Sequence, residues 1–351
     1  MVRKNEGIRD LVNLNALLYA IFTVLALLLL LQTIPAPNYT TAYAQEEEDY
    51  SFITKWGLEG SAPGEFMGQN DAVPSPDGKY IYVPDYENHR IQKFTSNGTY
   101  IMEWGSGSEN SANGEFDNPH SIDIDSHGNV YVSDKDNHRI QKFTNDGKFI
   151  TKWGTEGTGD GQFTHLHGIA VDPSSGDVYA TDTENFNVQK FTSNGTFLTK
   201  WGSEGEGNGQ FASLESIDVD SHGNVYVADF GNNRIQKFTS NGNYITQWGS
   251  EGSGLSQFNG PAGVAIDSQD NVYITDVNNN RIQKFSNNGT YITQWGSEGM
   301  GNGDFSQPEG IDVDDLGYVY VADTGNFRIQ VFALTQAATA NDNNTITSSS
   351  S

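Results

Sequence analysis

From residue 51 onward, short segments in which apolar and polar residues alternate are separated by clusters of Gly, Asn, Asp and Ser. Ser216-Ile217-Asp218-Val219-Asp220 is one such segment, and Ser221-His222-Gly223-Asn224 breaks it. Val225-Tyr226-Val227-Ala228-Asp229, Arg234-Ile235-Gln236-Lys237-Phe238 and Tyr244-Ile245-Thr246-Gln247-Trp248 follow, joined through Phe230-Gly231-Asn232-Asn233 and Ser240-Asn241-Gly242. Alternation with a period of two predicts half-buried strands, and the intervening clusters predict hairpin turns. Four short strands joined this way form one antiparallel meander.

The meander recurs. All six tryptophans stand before glycine, at Trp56, Trp104, Trp153, Trp201, Trp248 and Trp295, with intervals of 48, 49, 48, 47 and 47 residues. A repeat of this length predicts a propeller or a solenoid. The phase decides between them. The series opens with a lone fourth strand, 52–56, and ends after a third strand, Phe327 to Phe332. Placing the first segment in the last unit closes a ring and removes exposed sheet edges, whereas a solenoid would need distinct caps. The expected fold is all-β: a six-bladed β-propeller of four-stranded antiparallel blades, closed by the N-terminal strand 52–56 completing the last blade.

Units such as Gly310-Ile311-Asp312-Val313-Asp314, Val319-Tyr320-Val321-Ala322-Asp323 and Asn326-Phe327-Arg328-Ile329-Gln330 resemble NHL repeats. Asn88-His89-Arg90 and Asn137-His138-Arg139 come nearest to the Asn-His-Leu that names that family. The resemblance covers residues 51–334. It implies the propeller fold, but NHL propellers serve as scaffolds, binding modules and enzymes, so it leaves function open.

The N-terminus is of another kind. Arg3, Lys4 and Arg9 precede an apolar run from Leu17 to Leu31, and Ala42-Tyr43-Ala44 offers a small-x-small cleavage site. The run would span roughly 22 Å as a helix, short of the ~30 Å hydrocarbon core. Residues 1–44 are therefore expected to be a signal peptide or an N-terminal membrane anchor, placing the rest at the cell surface or outside the cell. An acidic linker, 45–50, would lead to the propeller at 51–334, and a Ser/Thr/Asn-rich tail at 335–351 should be disordered.

The net charge of −26 argues against nucleic acid, whose binding draws on Lys and Arg. The membrane is a partner only through the N-terminal segment if it stays uncleaved. The absence of cysteine rules out disulfides, thiol nucleophiles and cysteine-ligated zinc. It also rules out the RING domain of tripartite-motif ligases, whose propellers share this repeat.

Sixfold repetition helps to separate scaffold from site. Asp85, Asp134, Asp182, Asp229, Asp276 and Asp323 recur, with Arg90, Arg139, Arg234, Arg281 and Arg328 five residues on; Asn187 interrupts the second series. These are expected to hold the turn between the second and third strands. A single site should lie where blades differ. Just before each innermost strand stand Asn70, His120, His167, Glu215, Ala262 and Glu309, and the candidate metal ligands are His120, His167, Glu215 and Glu309. The alternative is a polar, wet channel. Pro119-His120-Ser121-Ile122 resembles a segment of the peptidyl-hydroxyglycine amidating lyases. That resemblance implies zinc held from alternate blades, here His120, Glu215 and Glu309.

Variable loop tips Tyr86, Lys135, Phe230 and Val277 are candidate binding residues. Asn97, Asn194 and Asn288 open Asn-Gly-Thr sequons and are candidate glycosylation sites, although Asn-Gly is also a favourable hairpin turn. Asp123/Asp125, Asp218/Asp220 and Asp312/Asp314 lack the full spacing of a calcium loop. His89, His127, His138, His165 and His222 fall in turns or loops and call for no special role.

The expected function is an exported recognition or scaffold module, presenting acidic loops that contain Glu156, Glu204, Glu206, Glu251 and Glu298 to an unknown protein or a basic ligand. The alternative is a metal-dependent lyase or hydrolase with a site at the channel mouth. The cofactor expected, if any, is a divalent cation, zinc or calcium.

Overall fold

The computed structural model describes residues 48–335, so the expected export segment and all but the first residue of the expected tail lie outside it. Six four-stranded antiparallel sheets follow one another in sequence. Blade 1 comprises Val73–Pro74, Tyr80–Asp85, Arg90–Thr95 and Tyr100–Trp104. Blades 2 to 5 repeat this order from Pro119, Leu166, Leu214 and Pro261, each ending at its tryptophan. Blade 6 contains Pro308–Val313, Val319–Asp323 and Arg328–Leu334, with Tyr50–Trp56 as its fourth strand. First strands touch in cyclic order, and that of blade 1 meets those of both blade 2 and blade 6. No helix among the described residues is long and apolar enough to cross a membrane.

Burial changes across each blade. Second and third strands such as Val225–Asp229 and Arg234–Phe238 are buried at every position, while the fourth strands of blades 2 to 4 alternate between half-buried and exposed. The inner strands are covered on both faces because each blade is sandwiched between two others. The apolar cores accordingly lie between blades: Tyr131 of blade 2 packs with Phe163, Ile169 and Ala180 of blade 3. Each fully buried side chain of this size contributes roughly 1.5–3 kcal/mol.

Closure begins earlier in the chain than the sequence pattern predicts. The closing strand is Tyr50–Trp56, two residues longer than the expected 52–56, and pairs with the last strand from Tyr50↔Leu334 to Trp56↔Ile329. At five joints, a glycine turn after one blade's third strand lies against the preceding blade's tryptophan. Blade 6 has no such turn, because the chain breaks there, and Tyr50 replaces it. Its ring stacks on Trp295, and its hydroxyl bonds to Tyr273 Oη (2.7 Å). Glu48 pairs with Lys284, and Thr335 N donates to Asp49 O (2.7 Å). Residues 48–50 and 335 thus belong to the propeller, which corrects the expected boundaries of linker and tail.

The repeated acid anchors a loop as well as a turn. Asp85 is fully buried and receives Arg90 Nε (2.8 Å), Asn88 Nδ2 (2.9 Å), Gln92 Nε2 (3.0 Å) and the N–H of Met67 (2.8 Å). Arg90 goes on to donate to the carbonyls of Ser61, Ala62 and Glu65, clamping the loop that enters the blade. His89, between Asn88 and Arg90, takes the left-handed conformation (φ 49°) that ends the tip's 3₁₀ turn. The Asp and Arg series therefore hold the scaffold. Their fixed Gln partners were not singled out in the sequence.

Candidate functional site

In blades 2 to 6 the ring residues fall one place inside the first strand, where the sequence pattern had put them just before it. Asn70, His120, His167, Glu215, Ala262 and Glu309 all line one open funnel of about 520 Å³ at the mouth of the ring. Tyr86, Lys135, Phe230 and Val277 line it as well. The two candidate groups, read separately from the sequence, are one site in space. The topology explains it. A first strand enters from the same end of the meander at which the turn between second and third strands projects. Only four tips reach the funnel, because Thr183 and Thr324 turn back to donate to the carbonyls of Leu214 (2.5 Å) and Gln69 (2.9 Å). Val277 is buried, and presents itself to the cavity rather than to bulk solvent.

Neighbouring strands fix the ring backbone. Thr181 Oγ1 donates to the Glu215 carbonyl (2.9 Å) and Thr275 Oγ1 to that of Glu309 (2.6 Å). The glycines beside the ring residues are required by close approach: a Cβ on Gly168 would lie 2.6 Å from the Glu215 carbonyl oxygen.

The funnel is chemically lopsided. On one side, the rings of His120 and His167 lie 4.0 Å apart with a 30° tilt, and His167 Nδ1 is 2.6 Å from Glu215 Oε2. Ligand-capable atoms of His120, His167 and Glu215 all lie within 4.8 Å of one another. These residues come from three consecutive blades, unlike the alternate-blade set His120, Glu215 and Glu309 that the resemblance implies. Glu309 turns to Asn70, whose amide, with nitrogen toward acceptors, donates to Glu309 Oε2 (3.1 Å) and accepts from His120 Nε2 (3.2 Å). His165, expected to have no role, packs edge-on against His167 (4.8 Å) and pairs with Glu184 (3.3 Å). Phe230, Val277 and Ala262, from blades 4 and 5, add apolar side chains to the lining.

Burial, together with His167 and Lys135, holds the His120 imidazole well below the usual histidine range, so that it is neutral. Burial and the neighbouring Glu215 push Glu309 up to about 7, against the pull of Lys135. Burial also lowers the ammonium of Lys135, which lies over the Tyr86 ring at 5.1 Å.

Asp71, which lines the funnel, and Asp123, Asp218 and Asp312 beyond it bring carboxyls toward the axis, and burial raises the pKa of all four, Asp71 to about 6 and Asp123 to about 7. Asp123 accepts the Val171 N–H of blade 3 (2.6 Å) and Asp218 the Ile266 N–H of blade 5 (2.7 Å). These are blade-to-blade staples. The second acids of the Asp-x-Asp runs close turns instead: Asp125 accepts from the N–H groups of His127 and Asn129. The sequence signal was present, since Asp123, Asp218 and Asp312 occupy alternate blades and Ala170, Ala265 and Val73 the others.

Asn97, Asn194 and Asn288 are exposed on turns at the other end of the meander. Glu156, Glu204, Glu206, Glu251 and Glu298 are exposed on the loops entering the blades, outside the funnel.

The profile of the NHL repeat matches residues 116–143, 163–191, 211–238, 258–285 and 305–332. The chain is an NHL-repeat propeller. The matches fall in blades 2 to 6. Blade 1 of the NHL propeller, whose first strand shrinks to Val73–Pro74, is not matched. Solved structures give the same fold. A virginiamycin B lyase from Staphylococcus aureus is 15% identical, with TM-score 0.56 over 82% of this chain and all of that one. An auxiliary nutrient binding protein from Bacteroides ovatus is 14% identical, with TM-score 0.59 over 83% of this chain and 78% of that one. A Bacteroides thetaiotaomicron protein of unknown function is 17% identical, with TM-score 0.62 over 82% and 76%. No curated protein matches the chain.

Proposed function

We propose that this propeller is an exported recognition module that takes a small cationic ligand into its funnel. The observation that carries this reading is the convergence of the residues that differ between blades, ring positions and loop tips alike, around one cavity. Its volume, about 520 Å³, lies in the range of small-molecule sites. Burial and Glu215 both disfavour the charge on Glu309, and a ligand ammonium beside it would favour the ionised carboxylate. Phe230, Val277 and Ala262 would receive the ligand's apolar part. The acidic entry loops would raise the local concentration of a cationic partner, an effect that salt weakens. The fold shared with proteins described as nutrient-binding is in keeping with such a role.

Calorimetric titration of the full chain with the dipeptides Lys-Leu, Gln-Leu and Glu-Leu, at low and high salt, tests the reading. Lys-Leu should bind best, lose affinity with salt, and lose it further in Glu309→Gln and Phe230→Ala. Equal binding of Glu-Leu, or salt-independent affinity, would refute a cationic ligand. Export rests on residues 1–44, and recovery of the chain solely from the cytosol of its native cell would count against it.

A further inference from the structure

We propose that His120, His167 and Glu215 hold a divalent transition metal, zinc or a zinc-like ion, on the imidazole side of the funnel. The proposal does not depend on which ligand fills the rest of the cavity.

Two imidazoles and one carboxylate, supplied by three consecutive blades, bring ligand-capable atoms within 4.8 Å of one another. Tetrahedral ligands 2.0–2.2 Å from zinc lie about 3.3 Å apart, so the set needs only small side-chain rotations to close on an ion.

The unpaired nitrogens point the same way. His120 Nε2 donates to the Asn70 side-chain amide oxygen, which leaves Nδ1 with the lone pair, and that atom is buried with no hydrogen-bond partner. His167 is 8% exposed, and its Nδ1, 2.6 Å from Glu215 Oε2, is not aligned to donate to it. Buried polar atoms without a partner are costly, and a cation between them satisfies both. Asn70 supplies the outer contact that commonly fixes a ligating histidine's tautomer.

The nitrogen-rich donor set selects zinc, cobalt or nickel over calcium, which takes six to eight oxygens. Three protein ligands facing an open cavity match catalytic zinc sites rather than closed structural ones, so a metal-bound water would face whatever enters the funnel.

The test uses the full chain, stripped with a chelator, reloaded with Zn(II) or Co(II) and desalted. Elemental analysis should give about one metal per wild-type chain, and Co(II) should show an intense visible ligand-field band. His167→Ala and Glu215→Gln should lose the metal, while Leu198→Ala, exposed on the outer strand of blade 3, should keep it. Asn70→Ala should bind roughly 10–100-fold more weakly, as expected for an outer contact. Circular dichroism checks that each variant is folded, and should one fail, the wild-type titration still decides. No stoichiometric metal in the wild type, or full metal in both ligand variants, would overturn the proposal.

Discussion

Gly195, in the turn after the third strand of blade 3, is folded onto the indole of Trp153 in blade 2: a Cβ there would lie 2.6 Å from the ring. The same glycine has φ +86°, which L side chains rarely adopt.

Both constraints act at Gly195 and only one at Gly176, where φ is +73° and nothing lies within 4 Å of an added Cβ. Gly176→Ala should cost about 1–2 kcal/mol from backbone strain alone. Gly195→Ala should cost a further 1–3 kcal/mol, because overpacking against the indole adds to that strain. Urea unfolding of the two variants beside the wild type measures the difference, and equal losses would dismiss the indole contact.

Tyr50 closes the ring at the joint that has no glycine turn. Its ring lies 4.2 Å from that of Trp295 with a 15° interplanar angle. Tyr50→Ala removes a buried aromatic and should destabilise the fold by roughly 3–5 kcal/mol. Hydrogen exchange should then rise first in 50–56 and 328–334, the pair of strands that completes blade 6. Uniform loss of protection around all six blades would mean that the closing strand is no weaker than the rest.

Blade 3 lacks the clamping arginine. Asn187 stands in its place with a buried, unsatisfied Oδ1, and Lys200 reaches to Thr158 O (3.3 Å) and Asp160 (2.9 Å) instead. In blade 4, Arg234 donates to the carbonyls of Glu206, Gly207 and Gln210, and to Gln247 Oε1. The double replacement Asn187→Arg with Lys200→Gln rebuilds that arrangement and removes the competing charge. It should stabilise the protein by about 1–2 kcal/mol, in line with several recovered hydrogen bonds to a charged donor. Amides of residues 155–162 should exchange more slowly in the double variant, and unchanged exchange would refute the clamp.

Asp123 gives the stability a pH dependence of known sign. Its folded pKa of about 7 is raised by burial and by Asp71 and Asp125 nearby. The folded state therefore holds a proton that the unfolded carboxyl releases near pH 3.9. The stabilisation from this group is complete below about pH 4 and is lost as pH rises through about 7. Asp123→Asn keeps an oxygen acceptor for the Val171 N–H and cannot ionise. Its melting temperature should fall less than that of the wild type between pH 5 and 8, and should exceed it at pH 8. Parallel curves would show that Asp123 does not titrate in this range.

Local patterning made most of the fold legible. Alternation fixed the strands, Asn-Gly and Asp-rich turns fixed the hairpins, and the tryptophan period fixed the number of blades. These are short-range properties, set by how a pleated strand places successive side chains and by which residues tolerate a turn. Even the closure was readable, because the lone fourth strand at one end matches the missing one at the other. The start of that strand was not, since Tyr50 is in place through its stack on Trp295, 245 residues away in sequence.

The site divides along the same line. That the ring residues differ from blade to blade is a fact of the sequence. Which of them meet was decided by the closed ring, which sets neighbouring blades close enough for His120, His167 and Glu215 to converge and turns Glu309 toward Asn70. It also brought His165 against His167 and aimed alternate aspartates at the axis, two features that strand periodicity records only as a turn residue and a surface acid. The strands follow from the sequence because their rules act between residues a few positions apart. The funnel's chemistry waits on tertiary structure because it is made of side chains from different blades, each about one 48-residue repeat from the next.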